Sequence, residues 1–314
     1  TLDPLGEIDS INQDGMNILK MNKDEIIGNH YMYLFEKDME IIGLIQMTEM
    51  ENKIHSEINM PFLTVSKEAV VNVSVAPRID PGGSVRGLVV AIEDITDVSK
   101  VKNTFKRYVS KQVVDELLDD DAKLNLGGEK RDVTILFSDI RGFTDMSEKM
   151  NPEDVVSTLN EYFSEMIDIV FKHNGTLDKI IGDELMVVYG APTSNEDDTL
   201  RAVATAMEMQ SQINALNAKR IKQRKKPILA GMGINKGIVV SGNIGSRDMM
   251  DYTVIGDTVN LGARLCSAAG PGEILVSSSV WKETQKHYSY KKLEPIKVKG
   301  KKNKVGVYRI DHDG

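Results

Sequence analysis

Apolar residues recur at Val155, Leu159, Phe163, Met166 and Val170, the three-and-four spacing that lays one apolar stripe along a helix. Asn151 and Pro152 stand where a cap and a first-turn residue belong, and Gly175 follows the stripe. The pattern therefore predicts a helix over 152–173. Around it the chain reads as strand 133–138, strand 176–181, strand 184–190, helix 197–218 and strand 228–235. This β-α-β-β-α-β order is that of a ferredoxin-like split unit, an α/β (α+β) fold.

The first hundred residues alternate shorter runs. Valines at 71, 73 and 75 have the two-residue period of a half-buried strand, and Pro81-Gly82-Gly83 marks a hairpin, so an antiparallel sheet with short helices is expected. Val98, Val101, Phe105 and Tyr108 then take up a coiled-coil spacing within 98–118. Barely two heptads are marginal alone, so this stretch reads as a helical connector that pairs across a dimer. Charge and glycine in "DDDAKLNLGGEKR" break the pattern near residue 125. The chain divides into 1–97, a connector 98–125, and 126–314.

A length of 314 residues accommodates two cores. A net charge of −8 argues against nucleic acid as a partner, because affinity for a polyanion rests on excess Lys and Arg. Cys266 is the one cysteine, so no intramolecular disulfide forms and a cytoplasmic setting is expected, with Cys266 packing on a helix. No apolar run approaches the roughly 18 residues of a membrane span, so no membrane contact is expected within this chain. It opens on Thr1 rather than Met, which leaves room for a longer, membrane-anchored protein of which this is the soluble part.

The chemistry gathers at three places. Asp139 ends the greasy run "TILFSDIRGFT", where Asp and Gly could equally make only a turn. Asp183 lies in a hairpin turn, Gly182-Asp183, within "LDKIIGDELMVVYG". In the predicted order the first strand pairs with this hairpin, and two converging carboxylates suit a hard cation such as Mg²⁺. In "DYTVIGDTVNLGARL", Asn260 and Arg264 are four apart and share a face if a helix follows Gly256. A guanidinium there could stabilise charge on a phosphoryl group. The basic run 219–226 reads as a solvated loop, and "IKVKGKKNK", 296–304, as a solvated hairpin with one lysine in reach of a triphosphate.

"LFSDIRGFT", "KIIGDELM", "YTVIGDTVNLGARL" and "VKGK", in this order and spacing, resemble the class III nucleotidyl cyclase family over about 130–310. The resemblance implies that Asp139 and Asp183 bind two divalent metal ions, Mg²⁺ or Mn²⁺, and that backbone from Ile140 through Gly142, Phe143 and Thr144 contacts phosphate. It implies further that Lys179 and Thr253 read the purine, that Asn260 and Arg264 orient the ribose and stabilise the transition state, and that Lys299 binds the triphosphate. In the family one protomer supplies the metal residues and its partner the other five, so a homodimer is implied. The implied reaction is attack of the ribose 3′ oxygen on the α-phosphorus, with pyrophosphate leaving; Asp139, water or the substrate could take the proton.

Guanylate-type members are similar but carry Glu and Cys at positions 179 and 253, so Lys179 and Thr253 point to ATP as substrate. Thr253 replaces an Asp common in the family, and a hydroxyl both donates and accepts. Guanylate cyclase and a catalytically silent nucleotide-binding module remain the alternatives. Residues 1–97 resemble a PAS sensor domain in "GEIDSINQDGMNILKMNKDEIIG" and "GLVVAIEDIT", with a truncated first strand. No cysteine precedes 266, which excludes a flavin thiol adduct. His30 and His55 are conceivable haem ligands, but a dimerising and regulatory scaffold with no organic cofactor is the expectation.

Overall fold

A computed structural model describes residues 1–65, 69–105, 109–110, 112–114, 126–296 and 304–311. Its residues fall into two compact units, 1–108 and 109–314.

In the first unit, short helices α1 (Gln13–Leu19), α2 (Lys23–Ile26) and α3 (Tyr31–Leu34) precede α4 (Met39–Glu51). A three-stranded antiparallel sheet follows, β1 (His55–Pro61), β2 (Val70–Ile79) and β3 (Val85–Asp94). Val71, Val73 and Val75 are buried, as their alternation predicts, and face Ile41 and Ile45 of α4 within one core. The Pro81-Gly82-Gly83 turn joins β2 to β3, with Gly83 in the left-handed region at φ +85°. Leu2 forms single bridges to Ile8 and Leu88 rather than a strand. His30 accepts a hydrogen bond from the Met32 amide at 3.2 Å, and His55 lies against Thr48 and Glu51.

Helix α5 (Thr96–Phe105) begins the connector and leaves Val98, Val101 and Phe105 exposed. Beyond it Val109 and Ser110 are non-helical and residues 112–114 helical, while residues 106–108, 111 and 115–125, over which the expected helix 98–118 would continue, lie outside the described residues.

The second unit is built around β4 (Gly127–Ile140). After it come α6 (Phe143–Ser147), α7 (Pro152–Lys172), the hairpin of β5 (Thr176–Ile181) and β6 (Glu184–Tyr189), then α8 (Asp198–Lys222). The chain continues through β7 (Ala230–Gly245), β8 (Met250–Ile255), α9 (Asp257–Ala268), β9 (Ile274–Ser277), α10 (Ser278–Thr284), β10 (Tyr290–Lys292) and β11 (Val307–Ile310). The sheet order is β10-β11-β9-β7-β4-β6-β5, with β8 paired to β7. Its β7-β4-β6-β5 segment is the antiparallel ferredoxin-like arrangement that the sequence predicts.

Strand β4 is covered on both faces. Val133, Ile135 and Phe137 pack in the core that Cys266 of α9 joins, while Leu136 and Ile140 pack beneath α7 and α8. This double burial explains the unbroken apolar run. The predicted stripe of α7 holds at Met166 and Val170, while Thr158, Tyr162 and Ile169 are buried with them and Leu159 and Phe163 stand at the margin. Tyr162 turns inward because its hydroxyl meets Ser138 Oγ at 2.8 Å. Asn151 occupies the cap position without a side-chain cap bond.

The basic run 219–226 is not simply a solvated loop. Helix α8 extends through Lys222, and buried Arg220 pairs with Glu161 and donates to the Lys226 carbonyl at 2.8 Å. Strand β7 outruns its predicted 228–235 because its second half pairs with β8, from Val240 opposite Ile255 to Gly245 opposite Met250.

Helix α9 lies close on β7 because two facing positions lack side chains. A Cβ at Gly233 would overlap the Cys266 backbone nitrogen, and one at Gly262 would press on the Phe137 ring. Gly233→Ala should therefore cost about 1–3 kcal/mol of stability by overpacking. Denaturant titration of the two proteins measures this, and an unchanged midpoint would contradict the close approach.

Candidate functional site

Register brings the two predicted carboxylates together. In the β4/β6 pairing Ser138 stands opposite Leu185 and Asp139 opposite Glu184. Asp183 precedes Glu184 in the turn, where Gly182 at φ +65° permits the tight reversal. The Asp139 and Asp183 side chains consequently lie near enough for Asp139 to disfavour ionisation of Asp183.

Two acids that close disfavour double ionisation. Burial and the neighbouring Asp139 push the Asp183 carboxyl up to about 6, opposed by its own amide and that of Ile140. Glu184, which sequence reasoning missed, is pushed up to about 7 by burial and then by the charge of Asp139, with Arg141 opposing. Arg141, also unanticipated, lies 2.7 Å from Asp139 Oδ2 and supplies a counter-charge. Its guanidinium reaches Cys266 Sγ at 3.6 Å, a long contact to a soft acceptor. Burial drives the Cys266 thiol strongly upward, which makes it the packing residue predicted.

This geometry fits a divalent cation in one respect: adjacent carboxyls held above their ordinary range are relieved by positive charge placed between them. Among the described residues no group of three or more His, Cys, Asp or Glu side chains is arranged to hold a metal. A hard ion here would draw its remaining ligands from water and phosphate, the habit of Mg²⁺.

Lys179 and Thr253 form a second cluster. Strand β5 carries a bulge: Leu177 pairs with Val187 and Lys179 with Met186, leaving Asp178 as the extra residue. Neighbours on a regular strand point to opposite faces. Here both Asp178 and Lys179 reach β8: Thr253 Oγ1 donates to Asp178 at 2.9 and 3.0 Å from its two oxygens, and the Lys179 ammonium pairs with Asp251. Lys179 Nζ also lies 3.1 Å from Asp178 Oδ1. Burial raises the Asp178 carboxyl above its ordinary value, while Lys179 and Thr253 pull it down.

Asn260 and Arg264 lie on α9, whose Leu261, Leu265 and Cys266 are buried. Asn260 is exposed and Arg264 half-buried. Gly142 takes the left-handed conformation before α6, so Phe143 and Thr144 begin that helix, with Ile140 buried behind them. Lys299 lies outside the described residues.

Residues 128–312 match the family model of the adenylate and guanylate cyclase catalytic domain, and residues 1–97 match a PAS domain. The chain belongs to the class III cyclase family. The cyclase is similar to the adenylyl cyclase CyaB of P. aeruginosa, at 37% identity and a TM-score of 0.57, over 59% of this chain and 96% of that one. It is similar also to the guanylyl cyclase Cya2, at 42% identity and a TM-score of 0.57, over 59% and 94% of the two chains. An uncharacterized protein of Mycobacterium tuberculosis is 33% identical over 213 residues, 67% of this chain and 38% of that one. The chain spans 38% or less of the length of such curated relatives. No helix among the described residues is long and apolar enough to cross a membrane.

The raised carboxyls carry a pH signature. A folded state that holds these protons more tightly than the unfolded chain gains stability that is complete below the unfolded values of about 4. That gain is lost as pH rises through the folded values of about 6 for Asp183 and about 7 for Glu184. In chelator-treated protein the difference in melting temperature between wild type and Asp183→Asn should shift toward the variant between pH 5 and 8, and Mg²⁺ should restore the wild type. A pH-independent difference would contradict the crowded-carboxylate geometry.

Proposed function

We propose that this cyclase converts ATP to 3′,5′-cyclic AMP and pyrophosphate as a homodimer, under regulation by its amino-terminal PAS domain. The observation that carries the reading is the register placing Asp139 beside Asp183 at the end of a rigid, doubly buried strand. That is where a site for triphosphate and divalent metal would be held most firmly.

In this reading the ribose 3′ oxygen forms a bond to the α-phosphorus, the bond from the α-phosphorus to the oxygen bridging to the β-phosphate breaks to release pyrophosphate, and the 3′ hydroxyl proton passes to Asp139, water or the substrate. Asp139 and Asp183 would hold two Mg²⁺ or Mn²⁺ ions, which supply Lewis acidity toward the attacking and leaving oxygens. The chain from Ile140 to Thr144 positions the phosphates. Asn260 orients the ribose, and Arg264 from the partner protomer stabilises charge on the phosphoryl group. Lys299 is the proposed triphosphate ligand, and Lys179 with Thr253 reads adenine.

Support for the shared site comes from the resemblance to the family, in which one protomer supplies the metal residues and its partner the rest. A twofold dimer would bring one cluster of each protomer opposite the other of its partner. The higher identity with the guanylyl cyclase Cya2 favours GTP as a second reading; the lysine at position 179 speaks against it.

The protein incubated with ATP or GTP and Mg²⁺ or Mn²⁺ should form cyclic AMP in excess over cyclic GMP. Asp139→Ala should lower that rate by about a hundredfold or more. Mixing Asp139→Ala with Arg264→Ala protomers should regain activity, since a mixed dimer keeps one intact site. Absence of recovery despite demonstrated subunit exchange would defeat the shared site, and absence of any cyclic product from folded dimer would defeat the enzyme reading.

A further inference from the structure

We propose that Asp178 is a positioning residue that sets base preference, by accepting the hydrogen bond of the Thr253 hydroxyl so that Thr253 Oγ1 faces the base as an acceptor only. The inference rests on Lys179 and Thr253 being the base-reading pair, and it addresses what a hydroxyl alone leaves open. A threonine hydroxyl carries one proton and can present either that proton or a lone pair. Here the proton has one destination, because both Asp178 oxygens lie within hydrogen-bond distance of Oγ1. The Asp178 side chain is only 4% exposed, so water does not compete for that contact. Burial raises the Asp178 carboxyl, but the Lys179 ammonium 3.1 Å away and the Thr253 hydroxyl oppose that rise and favour the carboxylate, which accepts and cannot donate.

The bulge makes this arrangement possible. Were β5 regular, Asp178 and Lys179 would project to opposite faces, and only one could meet β8. With Asp178 as the extra residue, the same carboxylate receives the Thr253 hydroxyl and lies 3.1 Å from the Lys179 ammonium. Lys179 directs two donors to Asp178 and Asp251, which leaves a third for a ring nitrogen. The pair then offers one donor and one acceptor in fixed order. Adenine, with an acceptor at N1 and an amino donor at position 6, matches it. Guanine, with a proton on N1 and an oxo group at position 6, meets donor against donor and lone pair against lone pair. Discrimination in this design lies in the penalty for the wrong base, as expected where buried polar groups would go unpaired.

The test uses the full chain and displacement of a fluorescent nucleoside triphosphate by ATP and by inosine triphosphate. Inosine shares guanine's N1 proton and 6-oxo group but lacks its 2-amino group, so the comparison isolates the edge in question. Binding reads this without requiring turnover. Wild type should prefer ATP. Asp178→Asn, whose amide can donate to Thr253 and release the hydroxyl proton toward the base, should reduce the ATP-to-inosine affinity ratio by about tenfold. Thr253→Ser should keep the ratio. Thr253→Val should lower it to what the Lys179 donor alone supplies, and adding Asp178→Asn to Thr253→Val should change nothing further.

An unchanged ratio in Asp178→Asn that is folded by circular dichroism overturns the proposal while leaving the base-reading pair intact. A wild type without preference for ATP overturns both. If Asp178→Asn does not fold, Thr253→Val decides: a ratio as high as in wild type overturns the proposal, and a ratio reduced to the part that the Lys179 donor alone supplies, together with the full ratio in Thr253→Ser, supports it.

Discussion

The catalytic-domain unit depends on the register of one strand. Strand β4 pairs with β7 from Gly127 opposite Asn243 to Ile140 opposite Ala230, and with β6 from Thr134 to Asp139. A slip of one residue against either neighbour would turn every side chain to the other face and carry Asp139 away from the Gly182-Asp183 turn. Apolar burial on both faces resists the slip, and two buried polar contacts make it specific. Thr134 Oγ1 meets Thr199 Oγ1 at 3.0 Å and Ser138 Oγ meets the Tyr162 hydroxyl at 2.8 Å. Each would be orphaned in the interior by a shift, at a cost of about 1–3 kcal/mol apiece. These inconspicuous hydroxyls thus govern where the carboxylates stand.

The two clusters handle charge differently. Around Asp139 acids outnumber counter-charge, since Arg141 faces Asp139 while Asp183 and Glu184 are left crowded. Around Lys179 the charges are nearly matched, with one ammonium between two carboxylates.

Much of this was legible in the chain. The helix at 152–173 and the alternating valines of β2 emerged from periodicity, because each buries one face, while the 176–190 hairpin emerged from two apolar runs flanking Gly182-Asp183. The convergence of Asp139 and Asp183 followed from strand order. What escaped was non-local. The far half of β7 carries Gly237, Gly242 and Gly245 and reads as a turn until β8 is laid beside it. Arg220 reads as solvated until Glu161, on another helix, is seen to receive it. Glu184 and Asp178 adjoin predicted residues, yet neither stands out as a letter. The strand pairing selects Glu184, and a bulge invisible to periodicity selects Asp178. Tyr162 displaced Phe163 from the centre of the α7 stripe for want of any sequence sign that Ser138 would lie beneath it.

The bulge also constrains how such a protein can diverge. An acidic residue arriving at position 179 would stand with Asp178 and Asp251, three like charges where one cation now binds two, and the strand end would be repelled from β8. A lineage could not readily acquire an acidic residue at position 179 by that exchange first. It would have to neutralise Asp178 or Asp251 beforehand or remove the bulge, so the order of substitutions is restricted by electrostatics well before selection weighs which nucleotide is bound.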